Sequence, residues 1–255
     1  MTTTMGERMG KADLHIHTTC SDGAPTVHAL LDHVARRTRL DVIAITDHDT
    51  IDGALEAREI MKSGAYPFKL IVGEEMSTRD GHLVGLFLHK KIEKGLSAAE
   101  TIALIREQGG VAFAPHPFFR TYQGANRPIT MMGLGPMIAD LDLDAVETIN
   151  ATPFLANANR RATIFNAMGR QLPILGNSDG HILAAIGKGF TSFPGSTASD
   201  LREAILTGQT KAGSREYRRR ELLTYLRFWL RQQAGLPPVV EETIMASPVP
   251  AGVLR

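Results

Sequence analysis

An α/β fold built on a largely parallel sheet is what this 255-residue sequence predicts. Three observations carry that expectation. Short apolar runs alternate with stretches of helical period almost from end to end, as in strand-helix units and unlike a sandwich. The length suits one α/β barrel plus a tail. Groups of histidines and acids stand directly after several apolar runs, at the strand ends where parallel α/β proteins build their sites.

The strands are expected, in order, at 12–17, 41–46, 68–73, 82–88, 111–115, 145–149, 173–177 and 189–193. In the first, ADLHIH, Leu14 and Ile16 alternate with Asp13, His15 and His17, which puts the two histidines on one face. Ser21-Asp22-Gly23 then reads as a turn that folds Asp22 back toward the end of that strand. Helical patterns cover about 26–38, 52–63, 97–108, 155–169 and 198–207. The third of these opens on a Ser-x-x-Glu capping box, Ser97 to Glu100, and closes at Gly109-Gly110. Residues 120–136, rich in Gly and Pro, read as a long loop of the kind that carries function. From residue 213 the composition changes to a basic amphipathic helix with Leu222, Leu223, Leu226, Trp229 and Leu230 at helical spacing. Its apolar face is expected to dock on the domain or on a second subunit, and a Pro-rich, weakly ordered tail follows.

Bulk properties narrow the function. With 28 Lys and Arg against 27 Asp and Glu, the formal net charge is +1, so no overall field recruits a long nucleic acid or an acidic membrane. Small substrates fit that balance. The apolar runs are too short to span a bilayer, and MTTTMGERMG lacks the apolar core of a signal peptide. Cys20, the only cysteine, cannot close an internal disulfide, so a cytoplasmic protein is expected. Cys20 itself reads as a small buried apolar group, with a soft metal ligand as the alternative.

The chemistry lies in the clusters: His15, His17 and Asp22; Asp47, His48 and Asp49; Glu74 and Glu75; His82; His116; Asp179 and His181. Taken singly, each has a structural explanation: Asp47 or Asp49 can cap a helix, Glu74 can be a solvated charge, and His82 a hydrogen-bonded core histidine. Taken together they do not. Carboxylates and imidazoles crowded at one end of a sheet would repel or stay unsatisfied unless cations neutralised them. A set of His and carboxylate groups suits Zn, Mn or Fe, and the lack of thiolates argues against a structural zinc knot.

In this order, HIHTTCSDG, ITDHDT, GEE, HP and NSDGH resemble the PHP family (polymerase and histidinol phosphatase domains) over about residues 12–212. The resemblance implies a distorted seven-stranded (β/α)7 barrel, TIM-like, with two or three divalent metal ions (Mn, Zn or Fe) that hydrolyse phosphoesters through a metal-activated hydroxide. It divides the chain into an extension at 1–11, a PHP domain at 12–212 and the helix and tail at 213–255. The implied metal ligands are His15, His17, Asp22, His48, Glu75, His116, Asp179 and His181. His82 matches a histidine common in the smaller phosphoesterase branch. By the same likeness one metal takes His15, His17, Glu75 and Asp179, Glu75 bridges to a second that also uses His116, and a third takes Asp22, His48 and His181. Asp22, His48, Glu75 and His181 are thereby implied in catalysis. Two positions depart from the family pattern: Glu74 replaces an apolar residue, and Gly180 stands where Ala is usual.

Arg120, Arg127 and Lys188 are candidates for gripping phosphate. The substrate expected is a small phosphomonoester such as a nucleotide. Alternatives are a 5'–3' exonuclease on short oligonucleotides, an amidohydrolase-type hydrolase, and a non-catalytic metal-binding module. Asp22, the Thr-Asp-His cluster and the early Glu75 argue against the amidohydrolase, and a full ligand set argues against the module. No aromatic-basic stripe marks a surface for long strands. Self-association through the C-terminal helix is the one protein contact expected.

Overall fold

The runs Val42–Ile45 and Val111–Ala114 contain no polar side chain to turn toward water, and both are buried throughout. They form β2 and β5 in a computed structural model that describes residues 8–64, 66–122 and 129–242. The chain runs β1 (Met9–Asp13), α1 (Val27–Arg37), β2, α2 (Asp52–Met61), β3 (Lys69–Ser77), β4 (His82–Leu86), α3 (Ala98–Glu107) and β5. A small hairpin follows, β6 (Arg120–Tyr122) and β7 (Ile129–Met131), then β8 (Ala145–Asn150), α4 (Ala156–Met168) and β9 (Ile174–Asn177). β10 (Gly189–Pro194), α5 (Ala198–Leu206), β11 (Lys211–Ser214) and α6 (Arg219–Gln233) complete it.

Among the described residues, nine strands form one sheet in the order β11-β10-β1-β2-β3-β4-β5-β8-β9. Pairing is parallel from β1 to β3 and from β5 to β9, but β4 is antiparallel to both its neighbours, and β10 is antiparallel to β1 and β11. The reason for β4 lies in its connection: residues 78–81 are too few for a parallel crossover, so β3 and β4 close as a hairpin. A parallel bridge between Ile16 and Gly180 joins the two ends of the seven-strand run from β1 to β9. The α/β barrel is therefore nearly closed, with β10 and β11 raising the expected seven strands to nine.

Two apolar layers hold it. Ala12, Val84, Phe113, Leu175 and Phe193 of the strands, with Leu14 just beyond β1, cluster with Leu201 and Ile205 of α5. Ile43 and Ile45 instead pack with Leu30, Leu31 and Ala54 of α1 and α2. Leu14 belongs to the first layer and Ile16 to the second, so the pleat slips between them and the simple alternation expected for residues 12–17 is broken. Strand β1 ends at Asp13, whose carboxylate accepts the N–H groups of Ser178 and Gly187 and takes no part beside His15.

The boundaries expected after residues 11 and 212 both fall within strands, because β1 starts at Met9 and β11 spans Lys211–Ser214. Helix α6 docks, though by Tyr225 and Phe228, which pack with Ala24, Ile182 and Ala185. The leucines and Trp229 of the expected docking stripe stay exposed. Lys188 anchors the same helix, its Nζ lying 2.5 Å from Glu221 Oε2 and 3.2 Å from the Glu216 carbonyl. The start of the tail is also ordered: Glu241 pairs with Pro25 by a bridge, and its carboxylate accepts the Leu183 N–H at 2.6 Å. Cys20 is exposed, against the expectation of burial. Among the described residues no helix is long and apolar enough to cross a membrane.

Replacing Glu221 with Gln should loosen α6, since it removes the carboxylate partner of a Lys188 side chain that is largely buried. Amide hydrogen exchange over residues 219–233 is expected to quicken about tenfold. Unchanged protection would mean that Tyr225 and Phe228 hold the helix without the ion pair.

Candidate metal centre

Each candidate ligand sits where a strand ends. His15 and His17 follow β1, His48 follows β2, Glu75 lies in the extended end of β3, His82 opens β4, His116 follows β5, and Asp179 and His181 follow β9. His116 and Asp179 adopt left-handed backbone conformations, φ 25° and 51°. Such conformations cost roughly 1–3 kcal/mol each for non-glycine residues and gather at functional sites. Asp22 is carried back by the turn after β1. A side chain at Gly23 would collide with the His17 backbone at 2.5 Å, so glycine is what lets the turn lie against that strand end.

Glu75 is the hub. Its Oε2 lies 3.0 Å from His15 Nε2, 3.2 Å from His17 Nε2 and 3.4 Å from His48 Nδ1. Its Oε1 lies 2.8 Å from His82 Nδ1 and 3.1 Å from His116 Nε2. Asp179 Oδ1 stands 3.5 Å from His15, and 3.4 Å from both His17 and His181. Asp22 Oδ1 faces His181 Nε2 at 3.2 Å, His17 at 3.8 Å and His48 at 4.0 Å. Among the described residues, four groupings of ligand atoms are close enough to hold an ion: His17, Asp22, His48 and His181; His15, His116 and Asp179; His15, His17 and Glu75; and His48, Glu75 and His82. All nine expected ligand positions are thus brought together.

The electrostatics follow from this crowding. Burial alone would raise the Glu75 pKa, yet His48, His15 and His82 hold it well below the ordinary carboxylate range. Burial likewise disfavours a charged His181, but Asp22 and Asp179 outweigh it and raise its pKa to about 10. For His48 burial wins and the pKa falls to about 4. Exposure is graded. His15 and His17 are fully buried, whereas the side chains of His48 and Asp22 are 25% and 46% exposed, so the cluster opens to solvent on the Asp22 side.

A supporting layer escaped the sequence reading. Glu147, buried in β8, accepts the His116 N–H at 2.7 Å and amide N–H groups from Asn150 at 2.9 Å and Asn177 at 2.8 Å. It also lies 3.3 Å from His15 Nδ1, which orients that ring toward Glu75. A lone carboxylate in the buried run AVETI was the available signal. Asp47 does not cap a helix: it accepts from the Thr18 N–H, the Thr18 hydroxyl and the Ser21 hydroxyl, each at 2.7 Å, and so fixes the turn that carries Asp22. Asp49 accepts from the Ser77 N–H and hydroxyl just beyond Glu75. Phe228 of α6, unforeseen, stands 5.9 Å from the His181 ring and walls one side of the site.

Lys188 is committed to Glu221, as described above. Arg120 is exposed, one residue after Phe119, whose ring lies 5.8 Å from that of His116. Arg127 lies outside the described residues. Cys20 takes part in none of the four groupings.

A PHP domain model matches residues 13–119, and a PHP-associated model matches 156–210. An uncharacterized protein of Methanocaldococcus jannaschii is 42% identical over 152 residues, 55% of this chain and 82% of that protein. The chain belongs to the PHP family. The 5'-3' exoribonuclease Rnm of Escherichia coli is 36% identical over 127 residues, which are 44% of this chain and 43% of the relative. The 3',5'-nucleoside bisphosphate phosphatase of Chromobacterium violaceum is 38% identical over 82 residues, 31% and 28% of the two chains. This PHP chain therefore spans less than half of either named enzyme. Among solved structures, a two-domain protein from Bacteroides vulgatus containing a predicted PHP-like metal-dependent phosphoesterase superposes with a TM-score of 0.62 at 21% identity. That match covers 88% of this chain and 71% of the other, and it bears on the fold.

Both departures from the PHP pattern acquire a reason. A Cβ at Gly180 would meet Ile186 Cδ1 at 2.5 Å and Ser178 Oγ at 2.7 Å, so alanine there requires both side chains to move. Glu74 is fully buried, and its Oε2 accepts the Ile92 N–H at 2.9 Å, tying down the loop after β4. Its other oxygen has no partner among the described residues.

Burial raises the Glu74 pKa from an ordinary 4.5 to about 7, against the lowering effect of the Ile92 hydrogen bond. The folded state thus keeps this proton after the unfolded chain has lost it. Stability should fall as pH rises from about 4.5 to about 7, by on the order of 3 kcal/mol. Urea unfolding of wild type and Glu74→Gln across that range checks this. The variant, with no proton to lose, should show a flatter profile, and parallel profiles would refute the assignment.

Proposed function

We propose that this protein is a metal-dependent phosphoesterase that releases phosphate from small phosphomonoesters, nucleotides among them. The observation that carries the reading is Glu75. Its two oxygens face separate sets of imidazoles, three on one side and two on the other, as a carboxylate shared between two cations would. Orphaned buried atoms support the fit: both ring nitrogens of His17, Nδ1 of His116 and Oδ1 of Asp22 have no hydrogen-bond partner among the described residues. A donor set of imidazole nitrogen and carboxylate oxygen suits Mn, Zn or Fe. Two or three such ions would be held by His15, His17, Asp22, His48, Glu75, His82, His116, Asp179 and His181.

When bound, divalent ions supply Lewis acidity toward phosphoryl oxygens and lower the pKa of water. The chain's own residues do the rest. Glu147 and Asn177 hold His15 and its neighbours in place; Asp47 holds the turn of Asp22; Phe228 shields the His181 side from water. Asp22, His48 and His181 face the opening and are the residues nearest to an entering phosphate, with Glu75 buried behind them. The relatives' names favour a second substrate, a short RNA digested from its 5' end, over the amidohydrolase reading. A cytoplasmic setting accords with a single exposed thiol, and the exposed face of α6, Leu222, Leu226 and Trp229, is the surface through which two copies would associate.

Phosphate release from nucleotides, sugar phosphates and 5'-phosphorylated tri- and tetranucleotides, with Mn added and with chelator, tests the reading. Release from nucleotides that chelator abolishes is the expected result; mononucleotides formed only from the oligomers would move the assignment to a nuclease. No release from any substrate by metal-loaded protein would overturn it. In the same assay His15→Ala and Asp179→Ala should lose more than about a hundredfold in turnover and bind less metal by elemental analysis, while melting cooperatively. Full activity in either variant would exclude that residue from the centre.

A further inference from the structure

Between the last turn of α1 and the first turn of α6 lies a cavity of about 430 Å³. Six cations line it: Lys11, Arg37, Arg39, Lys188, Arg215 and Arg218. Two carboxylates, Glu216 and Glu221, share the lining, which leaves a surplus of four positive charges in a chain whose formal net charge is +1. Glu221 is already paired with Lys188. Among the described residues the other five cations form no ion pair with a carboxylate.

The lining also has an apolar wall, made by Leu40, Ala184, Ile186 and Phe190. Phe190 gathers charge, since Lys11 Nζ stands 4.4 Å and the Arg215 guanidinium 5.6 Å from its ring centroid. Like charges held together on separate strands repel one another, and an anion lying among them would relieve that repulsion. The volume falls within the range of small-molecule sites, and cations on several sides of an apolar wall match a molecule with more than one phosphate charge and an organic body.

This cavity is not the metal centre. Ala24, just before α1, donates its N–H to the His181 carbonyl, so the start of that helix abuts the metal site. Arg37 and Arg39 lie at its far end, about 15 Å away along eleven residues of helix. The net balance of the chain had hidden a local excess, because its acids lie elsewhere.

We propose that this cavity is a second anion site that binds a nucleotide-sized phosphorylated molecule, independently of the metal centre. Arg37 and Arg39 are exposed, so their replacement leaves the core intact. The test is calorimetric titration of ADP into the full chain with chelator present, which separates binding from hydrolysis and from the function proposed above. Wild type should bind ADP, the double variant Arg37→Glu/Arg39→Glu at least tenfold more weakly, and His15→Ala like wild type. Arg215→Glu, on a different segment, repeats the comparison if the double variant does not fold. Raising the salt concentration should weaken the wild-type affinity. Equal affinity in wild type and charge-reversed protein, or no binding by wild type, would overturn the proposal. So would a loss confined to His15→Ala. A tetranucleotide of RNA without terminal phosphates serves as the second probe; if it alone binds and shows the loss, the ligand is a nucleic acid backbone and the proposed class is wrong.

Discussion

A fully buried carboxylate is the constraint on which the rest of this structure depends. Glu75 has lost its water, and a lone buried charge of that kind is among the most costly groups a fold can hold. Five imidazoles surround it; a neutral imidazole can offer it one N–H, while burial opposes the charge of a protonated one. Divalent ions would resolve the conflict for carboxylates and imidazoles alike. The fold is arranged to keep Glu75 in position: the N–H of Glu75 bonds to the Asp47 carbonyl at 3.2 Å, and its carbonyl accepts the Asp49 N–H at 3.0 Å. β3 runs on to Ser77 because those bonds, and the hairpin with β4, continue the ladder past the point where apolar sequence ends.

Around that hub the chain closes the site from its two ends. Ile16 meets Gly180, bringing the histidines after β1 beside Asp179 and His181 after β9. The C-terminal segment then crosses the same region. Tyr225 and Phe228 settle on Ala24 and Ile182, and Glu241 reaches back to the start of α1 and to Leu183. Residues beyond the matched family models therefore form part of the wall of the centre and of the basic cavity.

Period and residue type make part of the fold legible in the sequence. Buried strands β2, β5 and β9 are marked by runs such as VIAI that no other element accommodates so well, and the capping box at Ser97 and Glu100 forms as the spacing indicates. Strand direction was not legible at β4, since hydrophobic pattern is the same for parallel and antiparallel neighbours and only the short connection decides. Nor was the slip between Leu14 and Ile16, because it depends on which layer each residue meets. Glu147 remained hidden for the opposite reason: one acid in an apolar run gives no spacing to read.

By itself the sequence determined the chemistry available to this protein. It placed histidines and carboxylates after apolar runs, and in a barrel those positions converge because strand ends share one rim. Tertiary structure alone decided how the groups divide. Which oxygen of Glu75 faces which ring, that Asp47 holds a turn, that Lys188 belongs to Glu221, and that six scattered cations border one cavity all depend on contacts between residues far apart in the chain. Distance in space sets the strength of a charge interaction, and the linear order of residues does not contain it.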